Sequence, residues 1–203
     1  MTTGRPRGPL VAFEGLDQSG KQTQAEALVR HFTGSGQPCR LLSFPDYSTA
    51  IGAEIGRGLH GEREYGPDVM QLLYVANRHE KKPEILRLLD EGVAIVCDRY
   101  IASSVAYGEA HGLDAAWLEE IQRFLPPPDL CLLLDIEPAT AAARKQTGRD
   151  RYESDLALLS RVRQSYHRQA AASNRWVLLD ADRPPDAVHA DVVKALALRL
   201  ARP

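Results

Sequence analysis

The stretch LVAFEGLDQSGKQTQAEALVRHF, Leu10–Phe32, decides how the rest of the chain is read. A short apolar segment leads through a turn bounded by Gly15 and Gly20 into a helical pattern that opens at Lys21. Strand, glycine loop and helix in that order are the context in which G-x-x-x-x-G-K cradles phosphate. The glycines let backbone N–H groups converge on anion oxygens, and the helix N-terminus adds its dipole. Gly15, Leu16, Asp17, Gln18, Ser19, Gly20, Lys21, Gln22 and Thr23 are therefore the candidate nucleotide-phosphate residues, with Lys21 as the mobile charge. The motif departs from its usual form at one place. A Ser or Thr hydroxyl for a magnesium ion is expected after Lys21. Gln22 stands there, and Thr23 lies one residue on, about 100° further round the helix. Carboxylates acting in part through water are the alternative metal ligands, and Asp98 and Asp17 are the candidates.

Further along, CRLLSF (39–44), VAIVCD (93–98), LCLLLD (130–135) and WVLLD (176–180) join residues 10–15 as short, nearly continuous apolar runs. Such runs belong to strands covered on both faces, which means a parallel sheet. Helical periodicity fills the gaps between them. Val69, Leu72, Leu73 and Ala76 fall on one helix face, as do Val188, Val192, Ala195 and Leu196. Asp68 and the residues after Pro184-Pro185 are plausible helix starts. The expectation is an α/β three-layer sandwich with a five-stranded parallel sheet of the P-loop NTPase type. Ligands should gather at the C-terminal strand ends, where Phe44-Pro45-Asp46, Asp98-Arg99-Tyr100 and Asp135 lie.

The bulk properties fit one soluble catalytic domain over residues 1–203. The chain has 203 residues, 44% hydrophobic and 26% charged, with a formal net charge of -2. That balance argues against a general nucleic-acid or membrane-surface binder. Cys39, Cys97 and Cys131 sit singly inside apolar runs and read as small buried hydrophobes of a reducing compartment. No apolar run approaches the ~20 residues that span a bilayer. Residues 1–8 read as a short disordered tail without a leader's apolar segment, so a cytoplasmic location is expected. The polar segment 144–153 carries Arg144, Lys145, Arg149 and Arg151 between two helical patterns, and reads as a mobile lid over phosphates.

Four further stretches speak to the acceptor: FPDYSTAIG (44–52), LLYVANRHE (72–80), DRYIASSVAYG (98–108) and DRYE (150–153). Together with FEGLDQSGK, in this order and spacing, they resemble the thymidylate kinase family from residue 10 to about residue 180. The resemblance implies Mg2+-dependent transfer of the ATP γ-phosphoryl group to dTMP, giving dTDP and ADP, by a homodimer. It also implies roles. Tyr74 would stack on the base, and Arg78, one helical turn on, would donate to a pyrimidine carbonyl. Phe44 would line the base pocket and Tyr152 would close over it. Ser104 and Tyr107 would lie near base and sugar, with Tyr107 crowding the 2′ position. Arg99 would meet the acceptor phosphate, Asp98 would organise the magnesium shell or that arginine, and Asp17 would take the 3′-hydroxyl or position the acceptor phosphate.

Two positions depart from the family pattern. Tyr47 replaces an arginine found in many members at the acceptor phosphate. Gln18 replaces a loop arginine that other members supply from the lid, which points to Arg149 and Arg151, with Arg144 in reserve. The alternatives are another small phosphotransferase, such as a uridylate, cytidylate or deoxynucleoside kinase, and a nucleotide-binding scaffold without transfer chemistry.

Overall fold

A computed structural model of the protein describes residues 6–144 and 155–200. In chain order the elements are β1 (Leu10–Glu14), α1 (Lys21–Gly34), β2 (Cys39–Ser43), α2 (Ala50–Leu59), α3 (Pro67–Asp90), β3 (Ala94–Asp98) and α4 (Ile101–Ala110). There follow α5 (Ala115–Glu120), β4 (Leu130–Asp135), α6 (Pro138–Arg144), α7 (Leu156–Ala171), β5 (Trp176–Asp180) and α8 (Pro185–Leu200). The five strands form one parallel sheet in the order β2-β3-β1-β4-β5. Helices cover both faces. Val11, Phe13 and Val96 pack with residues of α1, α4, α7 and α8, whereas Leu10, Ala12, Ile95 and Cys97 pack with Ile85 and Leu89 of α3. This alternation along β1 and β3 follows from the period-two pleat of a strand. Among the described residues no helix is long and apolar enough to cross a membrane.

Three details differ from the sequence reading. Full coverage holds for β1, β3 and β4, but β2 and β5 are only partly buried, because they are the sheet edges. Gly8, assigned to the tail, is buried, and its N–H donates to the carbonyl of Leu89 at 2.8 Å. Arg144, assigned to the lid, is the last residue of α6.

The larger difference concerns α3. Its apolar stripe does not face the core throughout, unlike Val188, Val192, Ala195 and Leu196 of α8. Instead Val69 and Leu72 are 38% and 47% exposed, while Gln71, Asn77 and Arg78 are buried. Polar side chains thus share the inward face of this helix with Met70, Val75, Ile85 and Leu89. Its hydrogen bonds explain how that is sustained. Asn77 Oδ1 accepts the N–H of Asp46 at 2.8 Å, and its Nδ2 donates to Thr49 Oγ1 and Glu80 Oε2, each at 3.0 Å. Lys81 adds an ion pair to Asp46 at 2.9 Å. Gly52 lets the loop pass close by, since a Cβ there would stand 1.8 Å from the carbonyl oxygen of Asp46. Loop 44–49 is thus pinned against α3, at the C-terminal end of β2.

Candidate active site

The phosphate loop takes the shape its glycines allow. Gly15 has φ +138°, and a Cβ there would stand 2.5 Å from the Leu134 carbonyl oxygen, so no larger residue fits without movement. Gly20 precedes α1, whose first N–H groups lack intrahelical partners as in any helix. Lys21 folds back over the loop, and its Nζ donates to the Leu16 carbonyl at 2.6 Å. Burial and the nearby Arg99 cation push the Lys21 pKa down to about 8, against the pull of Asp17, Asp98 and Glu14. Gln22 is exposed and donates to Glu26 at 3.0 Å, one turn along α1. Gln18 has φ +64° and an exposed side chain, and its carbonyl accepts from Arg144 Nη1 at 3.3 Å.

Arg99 is the centre of the arrangement. It directly follows β3, with its N–H donating to the Phe13 carbonyl at 2.9 Å and its φ at +63°. A non-glycine residue in that region is strained, and such strain concentrates at functional sites. The guanidinium donates to Asp17 Oδ1 at 2.6 Å, the Gly15 carbonyl at 3.1 Å, Ser103 Oγ at 3.2 Å and Tyr166 Oη at 3.3 Å. Its carbon lies 5.3 Å from the centroid of the Tyr107 ring, and Tyr107 Oη donates to Asp17 Oδ2 at 3.1 Å. Burial opposes the charge on Asp17, but Arg99 and Lys21 outweigh it and hold the carboxyl well below the usual range. Beneath this pair Glu14 is fully buried. Its carboxylate accepts the Tyr100 N–H at 2.9 Å, Ser103 Oγ at 2.6 Å and Tyr166 Oη at 3.2 Å. Burial raises the Glu14 pKa despite those donors and the cations Arg99 and Arg78.

Two cavities meet this loop from different sides. The larger, of about 300 Å³, reaches from Asp17 and Arg99 along Ser104 and Tyr107 to Phe44, Tyr47, Tyr74 and Arg78. Arg78 is buried there. It donates through Nη1 to Ser104 Oγ at 2.7 Å and Gln122 Oε1 at 3.3 Å, lies 6.0 Å from the Phe44 ring centroid, and leaves Nε unpartnered. Burial lowers its pKa, partly offset by Glu14. Tyr47 stands at the mouth, 54% exposed. The smaller cavity, of about 280 Å³, is lined by Ser19, Gly20, Thr23 and Gln24 of the loop and α1, with Arg144, Arg183 and Val188 opposite. Gln24 donates to the Pro185 carbonyl at 2.8 Å and keeps a buried, unpartnered Oε1.

For a metal, the described residues contain no group of three or more His, Cys, Asp or Glu able to bind one. Asp98, at the end of β3 and close enough to raise the pKa of Lys21, has a buried Oδ1 without a partner. Both oxygens of Asp17 are already engaged. A donor set of one free carboxylate oxygen suits Mg2+, which keeps several waters and takes its other ligands from substrate phosphates. Asp98 thus fits better than Asp17.

The structure brings Asp17, Phe44, Tyr47, Tyr74, Arg78, Arg99, Ser104 and Tyr107 around one cleft, with Lys21 and Asp98 close enough to Arg99 to act on its charge or feel it. Arg149, Arg151 and Tyr152 lie outside the described residues. Asp135, noted at a strand end, is instead locked by Arg163, which donates to both its oxygens at 2.8 Å, and by His167 at 3.0 Å. Several members of the site carry no sequence signal. Tyr166 and Gln24 reach it through the packing of α7 and α1, and Arg183 from the turn between β5 and α8. Ser103 alone had a local cue, one helical turn beyond Arg99.

The family model described as thymidylate kinase matches residues 13–192. Thymidylate kinase of Schizosaccharomyces pombe is 36% identical over 191 residues, 92% of this chain and 90% of that protein. The human thymidylate kinase is 36% identical over 188 residues, 92% of this chain and 88% of that one. A solved structure of the Candida albicans thymidylate kinase, described as revealing the origin of its broad substrate specificity, superposes with a TM-score of 0.81. Its sequence identity is 30%, over 95% of this chain and 92% of that chain.

Proposed function

The chain belongs to the thymidylate kinase family, and from that premise we propose how its own residues carry the reaction. The enzyme is a nucleoside monophosphate kinase that uses ATP with Mg2+ to phosphorylate dTMP, giving dTDP and ADP for dTTP biosynthesis. One observation supports the assignment of its parts: two cavities border the phosphate loop, one at Asp17 and the other at Ser19 and Gly20, so two nucleotides can bring their phosphates to it. The dTMP occupies the larger cavity, its base between Phe44, Tyr74 and Arg78 and its phosphate toward Arg99. ATP lays its phosphates on residues 15–23, and its base enters the smaller cavity beside Arg144, where the free Oε1 of Gln24 suits an exocyclic amine.

An oxygen of the dTMP phosphate then attacks the γ-phosphorus in line, and the bond to the bridging oxygen of ADP breaks. A phosphate dianion needs no side-chain base, so catalysis rests on positioning and charge. Arg99 and Lys21 hold the crowded phosphates together. Asp17 and Tyr107 aim Arg99, and Tyr107 crowds the sugar's 2′ position. Asp98 would hold Mg2+, which when bound would neutralise charge on the donor oxygens. Tyr47 offers the acceptor phosphate a hydrogen bond without charge. Residues 1–203 act as a single kinase domain. The proposed homodimer is supported by the outward stripe of Val69, Leu72 and Leu86 on α3, and a cytoplasmic location is part of the same proposal. Sedimentation velocity at one protomer's mass would remove the dimer.

An ADP-release assay with dTMP, dUMP, dCMP and thymidine, with and without Mg2+, tests the reading. Turnover is expected with dTMP and to depend on Mg2+. Phosphorylation of thymidine but not of monophosphates would indicate a deoxynucleoside kinase, and ATP binding without any transfer a scaffold.

Lys21 gives a pH prediction. Its pKa in the free enzyme is lowered to about 8, whereas triphosphate oxygens against Nζ restore its proton. ATP binding should therefore take up close to one proton at pH 9 and almost none through Lys21 at pH 7. Affinity should fall up to tenfold per pH unit above 8. Titration calorimetry in buffers of different ionisation enthalpy measures this, and no uptake at pH 9 would refute it.

A further inference from the structure

α3 buries polar residues among its apolar ones, and one of them, Gln71, has an amide oxygen without a partner. Gln71 is 3% exposed, and its amide oxygen meets no hydrogen-bond donor. It lines the larger cavity with Tyr74 and Arg78 of the same helix. An unsatisfied buried amide destabilises a fold, and Met or Leu would occupy the same space without that cost. Its place on the helix suggests why an amide stands there. Gln71 lies three residues before Tyr74, and Arg78 lies four after it, so the three share one face with the aromatic ring in the middle. A pyrimidine laid on Tyr74 can turn its 4-carbonyl toward Arg78 and its 2-carbonyl, which flanks N3 on the other side, toward Gln71. Arg78 can only donate, which suits the 4-carbonyl. The Gln71 amide can turn end for end, offering either donor or acceptor to the group beside it.

We propose that Gln71 is a specificity-determining residue whose amide N–H donates to the 2-carbonyl of the acceptor's pyrimidine ring. The proposal rests on the reading of the larger cavity as the dTMP site. Thymine, uracil and cytosine all carry a 2-carbonyl and purines offer none at that place. Gln71 therefore selects pyrimidines as a class, whereas Arg78 distinguishes a 4-carbonyl from a 4-amine.

The test is a cycle of one side-chain change and one substrate change. Wild type and Gln71→Met are assayed with dTMP, its 2-thio analogue and its 4-thio analogue, sulfur being a weak acceptor. In wild type the 2-thio substitution should raise KM about tenfold. Gln71→Met should raise KM for dTMP by a similar factor and leave KM for ATP unchanged. In that variant the 2-thio substitution should add nothing, because the contact it weakens is already gone. The 4-thio penalty should be the same in both proteins. Equal 2-thio penalties in both would overturn the role of Gln71 while leaving the site intact. A wild type inactive on dTMP would overturn the site reading and this proposal together. If Gln71→Met is poorly folded, Gln71→Glu keeps the shape, removes the donor and completes the same cycle.

Discussion

Arg99→Ala should lower kcat about a thousandfold or more while ATP binding stays near that of the unmodified enzyme. Single-turnover kinetics and ATP titration measure the two quantities separately. The magnitude follows from where the guanidinium sits. It is the cation the larger cavity shares with the phosphate loop, and five groups fix it: Asp17, Gly15, Ser103, Tyr166 and the Tyr107 ring. An arginine held in this way needs no reorganisation when charge develops on the transferring group. The Arg99 side chain is only 14% exposed, so water cannot readily replace it. Lysine should recover little, because a point charge cannot serve several acceptors as a planar fork does. The variant should also shift Lys21. Arg99 lowers its pKa, so removing Arg99 should move the onset of proton uptake on ATP binding to higher pH. Turnover within tenfold of wild type would remove Arg99 from the reaction.

Arg78→Met should act on the other end of the substrate. KM for dTMP should rise about a hundredfold, and KM for ATP should not change. A charge-assisted hydrogen bond accounts for most of that factor, and loss of ring-edge selectivity for the rest. Stability should change much less. Burying Arg78 is itself unfavourable, as its lowered pKa reflects, so an apolar chain of similar length relieves desolvation while losing the contacts to Ser104 and Gln122. Steady-state kinetics with urea titration separates the effects. A parallel collapse of stability and of both KM values would make Arg78 a structural residue instead.

Much of this site could be read locally. The phosphate loop is legible because its chemistry is carried by neighbours in the chain: glycines for the turn, lysine for charge, and a helix start for the dipole. Tyr74 and Arg78 are legible as a pair because helix geometry sets their spacing. α3 shows the limit. Periodicity finds a stripe at Val69, Leu72 and Ala76, but it cannot tell which way the stripe turns. Here the inward face is mixed: Met70, Val75, Ile85 and Leu89 are buried together with Gln71, Asn77 and Arg78, which serve the cavity and loop 44–49. Gln22 likewise looked like a defect in a metal ligand. In the fold it points along α1 to Glu26, and the unpartnered oxygen near Lys21 belongs to Asp98.

From the sequence alone came the five strands, the parallel order of chemistry along their ends, and the residues of the phosphate and base motifs. The strands and the phosphate loop depend on periods and spacings that are local in the chain, and the base residues on a family resemblance that runs from residue 10 to about residue 180. Only the tertiary structure brought Arg99 against Asp17, 82 residues away, and Tyr166 against Arg99, 67 residues away. Those distances along the chain are closed by burial of the sheet between helices, and no local pattern encodes them. The same packing decided that Gln71 is buried without a partner. An unsatisfied amide becomes visible only when every atom around it has been placed.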